Sequence, residues 1–595
     1  MIDLKGSCCQ SGREMTGTLR YDAPDYHDQY SQNRAKRRRL CLVVGGVVVL
    51  VVLICAIAIP VFMKNKKDKN EDSGPSSNSG STALEAACNK TRFFDLCMES
   101  LKDYPGANST NPRELVKIAL DAARRGVSEE LARAEVLQKS NDVNLSAVAA
   151  DCVDNLVDSL DSINQTLDRL DKWDSAKNVR SQLNDLQTWM SSALTLQQTC
   201  HDDFVDLNVT GPAADLFLSN QTRVEHLLSN ALAFISILRT IADSNTGRRR
   251  LLTESLMDDP NEEWVKPLRR LLATNGTGAN VTANVVVALD GSGQYTKIQD
   301  AVDKAPQKSN TRYVILIKAG TYKENVIVGK DSWNIMFIGE GQDKTFITAS
   351  LSTGGNGITT SKTGTLSVLG KGFIGRDFMV ENTAGAKNYQ AVALHVGGDL
   401  VAFWRCTFKG YQDTLYTHTN RQFYKDCTVR GTVDFIFGNA ACVLQDCNIL
   451  ADIGLPGQQN TITASGRMDP NQNTGISIQR CNIDGTPSFK NAATKPKTYL
   501  GRPWKTYALT VFIQSTLGNL VDPEGWLLWN GDTSQSKTVY YAEYKNIGPG
   551  SGVTQRVTWS YQISNPTDAQ KFTPNSFLSA STWLNDTNIQ YTGSL

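Results

Sequence analysis

The sequence predicts an all-β parallel β-helix over residues 273–595, preceded by an all-α four-helix bundle over 84–243 and a membrane-spanning helix over 40–63. Three observations predict this. Cys406-Thr-Phe-Lys-Gly-Tyr-Gln-Asp413 recurs 21 residues later as Cys427-Thr-Val-Arg-Gly-Thr-Val-Asp434, with Cys, Thr, Gly and Asp at the same places. Leucine-rich stripes at alternating steps of four and three run through the middle of the chain. Near the amino terminus stand 24 consecutive residues without a charge.

At 595 residues the chain exceeds a single core, which stops growing near roughly 250–300 residues. The formal net charge of +1 hides an asymmetry. Residues 273–595 hold 28 Lys+Arg against 23 Asp+Glu, or +5, whereas residues 70–272 hold 21 against 31, or −10. The two units therefore attract each other, and the basic one suits a polyanion.

Residues 1–39 read as a polar, basic cytoplasmic tail. Segment 40–63 is long enough to cross a bilayer and too long for a signal-peptide core, so it reads as an anchor. Arg34, Lys36, Arg37, Arg38 and Arg39 precede it, against Lys64, Lys66, Lys67 and Lys69 after it. That excess puts the amino terminus in the cytoplasm. Sequons at Asn89, Asn108, Asn144, Asn164, Asn208, Asn220, Asn275, Asn280 and Asn585 all follow the anchor, which places the body in the lumen or outside the cell, where disulfides form.

Residues 64–83 form a linker rich in Ser, Gly and Asn. In 84–243, Leu156, Leu160, Ile163, Leu167 and Leu170 make one apolar helical stripe, and Val224, Leu227, Leu228, Ala231, Leu232, Ile235 and Leu238 make another. Glycine is scarce, which suits long antiparallel helices. Cys88, Cys97, Cys152 and Cys200 allow three pairings. Linker 244–272 carries Arg-Arg-Leu-Leu twice; Arg249, Arg250, Arg269 and Arg270 read as processing sites in an exposed connection.

Beyond residue 283, short β-branched runs alternate with Gly, Asn and Asp turns, the texture of many short strands. The octapeptide repeat, echoed at Cys447-Asn-Ile and Cys481-Asn-Ile-Asp-Gly, marks a solenoid with coils of about 20 residues. Equivalent residues of successive coils lie about 4.8 Å apart, so Asp413 and Asp434 are neighbours. Two such carboxyls cannot both ionise freely, which suits an acid/base pair better than a structural ladder. No Gly-x-Ser-x-Gly elbow follows residue 273. His395 and His418, the two histidines of this half, read as structural residues beside the site. No metal, cofactor or nucleic-acid partner is expected.

Five segments carry a family likeness: Gly320-Thr-Tyr-Lys-Glu324, Gln390-Ala-Val-Ala-Leu394, Tyr411-Gln-Asp-Thr-Leu-Tyr416, Asp434-Phe-Ile-Phe-Gly438 and Leu500-Gly-Arg-Pro-Trp504. In this order they resemble the signature blocks of plant pectin methylesterases over about 310 residues. The resemblance implies a right-handed parallel β-helix that hydrolyses methyl esters of pectin. It implies Asp434 as nucleophile, Asp413 as general acid then base, Arg502 as the partner of the nucleophile, and Gln390 and Gln412 as amide donors to the oxyanion. Trp504 resembles a substrate-stacking aromatic, supported by Tyr416, Phe437 and Trp526. Thr360 resembles a substrate-contacting threonine, although Ser361 follows where the family has an aromatic. A Cys427–Cys447 disulfide is implied, with Cys406, Cys442 and Cys481 left as buried thiols.

The helical unit resembles a pectin methylesterase inhibitor-like pro-region. Cys88 and Cys97 match the inhibitor's amino-terminal cysteine hairpin, and Cys152 and Cys200 match its second pair. The resemblance further implies cleavage of Arg-Arg-Leu-Leu by a subtilisin-like protease during secretion, separate inhibitor proteins as a further class of partner, and a mature enzyme in the cell wall released from a single-pass membrane precursor. A retaining glycosidase would also want carboxyls roughly 5 Å apart, but has no use for the Gln390 and Gln412 amides. A pectate lyase would want a calcium-binding acidic cluster, and a non-catalytic passenger would not need this set of polar residues.

Overall fold

The computed structural model describes residues 82–174, 178–249 and 282–595. The tail 1–39, the anchor 40–63, most of linker 64–83, and Arg250, Arg269 and Arg270 lie outside the described residues.

The helical part comprises α1 (Ala83–Cys88), α2 (Phe94–Leu101), α3 (Pro112–Leu137), α4 (Val143–Asp171), α5 (Val179–Asp206) and α6 (Pro212–Arg249). Asn111, Asp142 and Asn178 cap the first turns of α3, α4 and α5 with side-chain oxygens, which gives the amino-terminal N–H groups their acceptors. The two apolar stripes meet in one core, where Leu156, Ile163, Leu228, Leu232 and Ile235 are sealed from solvent. Within α6, Pro212–Ser244 is apolar and long enough to cross a membrane, but most of it is buried in the protein. Disulfides join Cys88 to Cys97 and Cys152 to Cys200. The second spans 48 residues and ties α4 to α5, which on chain entropy stabilises by about 4 kcal/mol.

Residues 285–562 wind into three sheets of 11, 7 and 8 strands, with every strand pairing parallel. Seven complete coils each add one strand to each sheet, incomplete coils at the ends supply the rest, and the 21-residue repeat is one complete coil: Thr407 pairs with Thr428, and Leu415 with Ile436. Inward side chains stack coil on coil into a continuous apolar core; Phe337, Phe373, Phe403 and Phe408 form one run of tilted and edge-on rings.

One expectation is corrected here. Cys427 and Cys447 are free, buried thiols, as are Cys406, Cys442 and Cys481. Cys406, Cys427, Cys447 and Cys481 occupy one in-register column, each just before paired strand residues. Parallel strands hold such side chains about 4.8 Å apart, whereas a disulfide draws Cβ atoms to about 3.8 Å. The thiols donate to carbonyls instead: Cys427 to Lys425 at 3.3 Å, and Cys447 to Gln445 at 3.4 Å.

Candidate active site

Asp413 and Asp434 precede strands Leu415–Thr417 and Ile436–Gly438 of the 7-stranded sheet, at equivalent places in successive coils. Both adopt left-handed backbone, with φ of 63° and 49°. Aspartate tolerates this region better than most residues, and the conformation breaks the inward–outward alternation before each strand. Arg502, just after strand Thr498–Gly501, reaches Asp434 with Nε at 2.8 Å from Oδ1 and Nη2 at 2.6 Å from Oδ2. Thr461 donates its hydroxyl to Asp434 Oδ1 at 2.5 Å. Asp434 is thus held by a fork and a hydroxyl, with little freedom to turn.

Asp413 lacks such a clamp. Burial, then the neighbouring charges of Asp434 and Asp206, raise its pKa well above the usual carboxylate range, while Arg502 acts in the opposite sense. Arg502 is itself raised: burial works against its charge, but Asp434 and then Asp413 outweigh it. Any proton shared by the pair therefore resides on Asp413.

Gln412 adjoins Asp413, and its main-chain carbonyl accepts from Ala391 N–H at 3.3 Å, one coil away. Gln390 accepts at Oε1 from the Thr353 hydroxyl at 2.9 Å, which leaves its NH₂ group as the remaining donor. Tyr416 and Phe437 stack at 4.3 Å, and Trp504 leans on Phe437 at 6.0 Å. Gly466 gives Trp504 its seat, since a Cβ there would stand 3.0 Å from the indole.

Trp526 is a correction. It is buried inside the β-helix against Phe512 and Tyr541, and cannot meet a ligand there. Its neighbour Trp529 takes the outer position, with the Arg502 guanidinium 4.2 Å from its ring, packed on the Tyr416–Phe437 cluster. The signal was present in the spacing Trp526-Leu-Leu-Trp529, which puts two indoles in one short segment without saying which faces out.

The helical part packs on this face of the β-helix through α4, α5 and α6. Asp206 at the end of α5 accepts from the Thr360 N–H at 2.9 Å and the Thr360 hydroxyl at 2.7 Å. Asp202 binds Lys505 at 2.6 Å, and Thr195 accepts from Asn439 at 2.8 Å. Between α5 and Tyr416, Trp504 and Lys505 a space of about 10 Å³ remains, room for a single water at most. Farther along, Arg421 bridges Asp185 of α5 and Asp399 in a fully buried trio, with Trp189 donating to Asp399. Lys330 pairs with Asp158 and Asp161, and Lys362 with Asp151 and Asp154. Acidic α4 and α5 thus meet basic β-helix residues, as the opposite net charges require. Arg92, which pairs with Asp469, runs the other way.

Comparison with known proteins defines the class on both halves of the chain. Residues 284–581 match the pectinesterase family model, and residues 82–234 match that of the plant invertase/pectin methylesterase inhibitor family. The chain belongs to the pectinesterase family. It is 40% identical over 540 residues to pectinesterase 1 of Citrus sinensis, covering 88% of this chain and 91% of that one. It is 36% identical to pectinesterase/pectinesterase inhibitor 3 of Arabidopsis thaliana, covering 96% and 99%. Among solved structures, the pectin methylesterase from carrot aligns with all of its own chain and 54% of this one, at 50% identity and a TM-score of 0.52.

Proposed function

We propose that the β-helix removes methyl groups from the galacturonate esters of pectin through Asp434 and Asp413, and that the helical part holds it inactive until the linker is cut. The observation that carries the chemistry is the unequal environment of two adjacent carboxyls: one clamped by Arg502, the other holding its proton.

Asp434 attacks the ester carbonyl carbon, and the developing oxyanion is met by NH₂ donors of Gln390 and Gln412. Asp413 gives its proton to the departing oxygen, releasing methanol and leaving an acyl-aspartate. Asp413, now a carboxylate, takes a proton from water as the hydroxide adds to the same carbonyl. Cleavage of the acyl bond returns Asp434 and frees the galacturonate acid. Trp504, Tyr416, Phe437 and Trp529 supply flat faces on which sugar rings stack, and Thr360 offers an N–H and a hydroxyl to a carboxylate.

Inhibition is supported by α5, whose Asp206 occupies the Thr360 donors and whose Thr195–Asp202 segment fills the groove. A tethered blocker acts at high effective concentration, so modest affinity suffices. We place the mature enzyme in the cell wall, after processing by a subtilisin-like protease and release from a membrane-held precursor.

Product analysis on highly esterified pectin tests the reaction. Methanol with acid release, and neither new reducing ends nor unsaturated ends, is expected; either kind of chain end would point to a hydrolase or lyase instead. Methanol release should be absent before linker cleavage and appear after it.

A further inference from the structure

The strand register of the 7-stranded sheet sets His395, Tyr416 and Phe437 in one outward column. His395 stacks on Tyr416 at 4.9 Å with planes 16° apart, so the aromatic platform ends in an imidazole. His418, two residues beyond Tyr416 and therefore on the same face, brings its Nδ1 within 3.0 Å of His395 Nε2. Its Nε2 lies 2.7 Å from the Thr199 hydroxyl of α5, the helix that fills the groove. In one arrangement of protons His395 gives its other N–H to the Ser361 backbone, His418 Nδ1–H donates to His395 Nε2, and His418 Nε2 faces the Thr199 hydroxyl, which also lies 3.1 Å from the Thr195 carbonyl. Thr199 therefore stands where a groove ligand would stand once α5 leaves. The acyl transfer uses neither histidine.

We propose that His395 and His418 form a carboxylate-binding subsite of the unblocked groove, taking a free galacturonate carboxylate of the pectin chain when the pair carries an added proton. This rests on the pectinesterase reading of the groove. With α5 gone, the outer His418 nitrogen faces the polymer. Protonated, it donates to a carboxylate and opposes its charge, whereas a methyl ester offers no charge to oppose. Tyr416 stands between Asp413 and His418 along the strand and stacks on His418 at 4.6 Å, so the pair lies beyond the ester under attack and selects the esterification state of a neighbouring sugar. The groups facing it are Lys362, which disfavours a second positive charge on His395; Tyr416, whose hydroxyl also meets Thr199; and Asp202, Asp203 and Asp206 of α5, which act on Tyr416 and leave with that helix. In the precursor, burial holds His395 down to about 3 and lowers His418, so the pair stays neutral under the helix. Removing that cover returns it toward the ordinary imidazole value near 6.5.

The test expresses the full chain through a secretory pathway and assays the processed product, as wild type, His418→Gln and the His395→Gln/His418→Gln pair. Substrates are fully esterified and half de-esterified pectin at pH 5 and pH 8. The expected result is a KM on half de-esterified pectin at pH 5 raised at least fivefold more than KM on fully esterified pectin at pH 8, with kcat moving little between the two conditions. Losses equal across substrates and pH would reduce the pair to scaffolding and overturn the proposal, as would no loss. A second measurement needs no variant. Binding of trigalacturonate to the wild-type product, followed by calorimetry, should weaken at least fivefold from pH 5 to pH 8, and a flat affinity would overturn the proposal. A product that binds trigalacturonate in this way yet releases no methanol would sink the pectinesterase reading and leave the subsite standing.

Discussion

Asp206, the last residue of α5, accepts two hydrogen bonds from Thr360, one from its backbone N–H at 2.9 Å and one from its hydroxyl at 2.7 Å. A carboxylate of the helical part thus sits on donors suited to a carboxylate of an acidic polymer, and its charge reaches Asp413. Asp206→Ala in the uncut full chain should release methanol detectably above the wild-type precursor. Equal silence of both would show that other contacts suffice to hold α5 in place.

Asp434→Asn should lower methanol release by roughly a thousandfold or more, and Asp413→Asn by about 10²–10⁴, the range of a lost general acid/base. Unchanged circular dichroism should accompany both, since neither side chain packs in the core. Substantial residual turnover by the Asp434 variant would remove it from the nucleophile role.

Arg502 acts to lower the pKa of Asp413. Without that cation Asp413, which must carry its proton to act as general acid, keeps it to higher pH, so Arg502→Ala should move the alkaline limb of the pH–activity profile upward while reducing turnover. A profile that keeps its midpoint would mean that Arg502 does not tune the pair.

The interface holds acids that burial pushes up: Asp203 well above its usual range, Asp206 also upward, and Glu225 to about 7. An acid with a raised value in the assembled state binds more protons there than when exposed. Its stabilising contribution is complete below the ordinary value and is lost as pH rises toward the raised one. Asp202 opposes this: burial acts to raise it, but Lys505, His201 and Gln198 bring it below its usual range. His395 and His418, neutral under α5 and open to protonation once it leaves, oppose it too. With both replaced by glutamine, the raised acids outnumber Asp202 and the grip of α5 after linker cleavage should weaken between about pH 4.5 and about pH 7. Size-exclusion chromatography of that cut variant across that window checks it; dissociation on acidification would reverse the sign.

Replacing Arg249, Arg250, Arg269 and Arg270 together should leave an uncut, membrane-associated precursor inside the cell. Blotting of medium and membranes reads this directly, and a mature-size product in the medium would show that cleavage lies elsewhere.

Some of this protein was legible in its sequence because local periodicity is a local property. The leucine stripes of α4 and α6 announced helices, and the 21-residue repeat announced stacked coils, because side-chain spacing along a chain follows directly from helix and strand geometry. The same repeat put Asp413 beside Asp434 without knowledge of any distant contact. Only tertiary structure decided what depends on facing and on residues far apart. It sent Trp526 inward and Trp529 outward, left Cys427 and Cys447 unbridged in their column, and paired His395 with His418. It also brought Asp206 to Thr360 and Asp185 to Arg421, pairs separated by 154 and 236 residues. No period in the sequence encodes such pairs, since they arise where two separately built surfaces match in charge and shape.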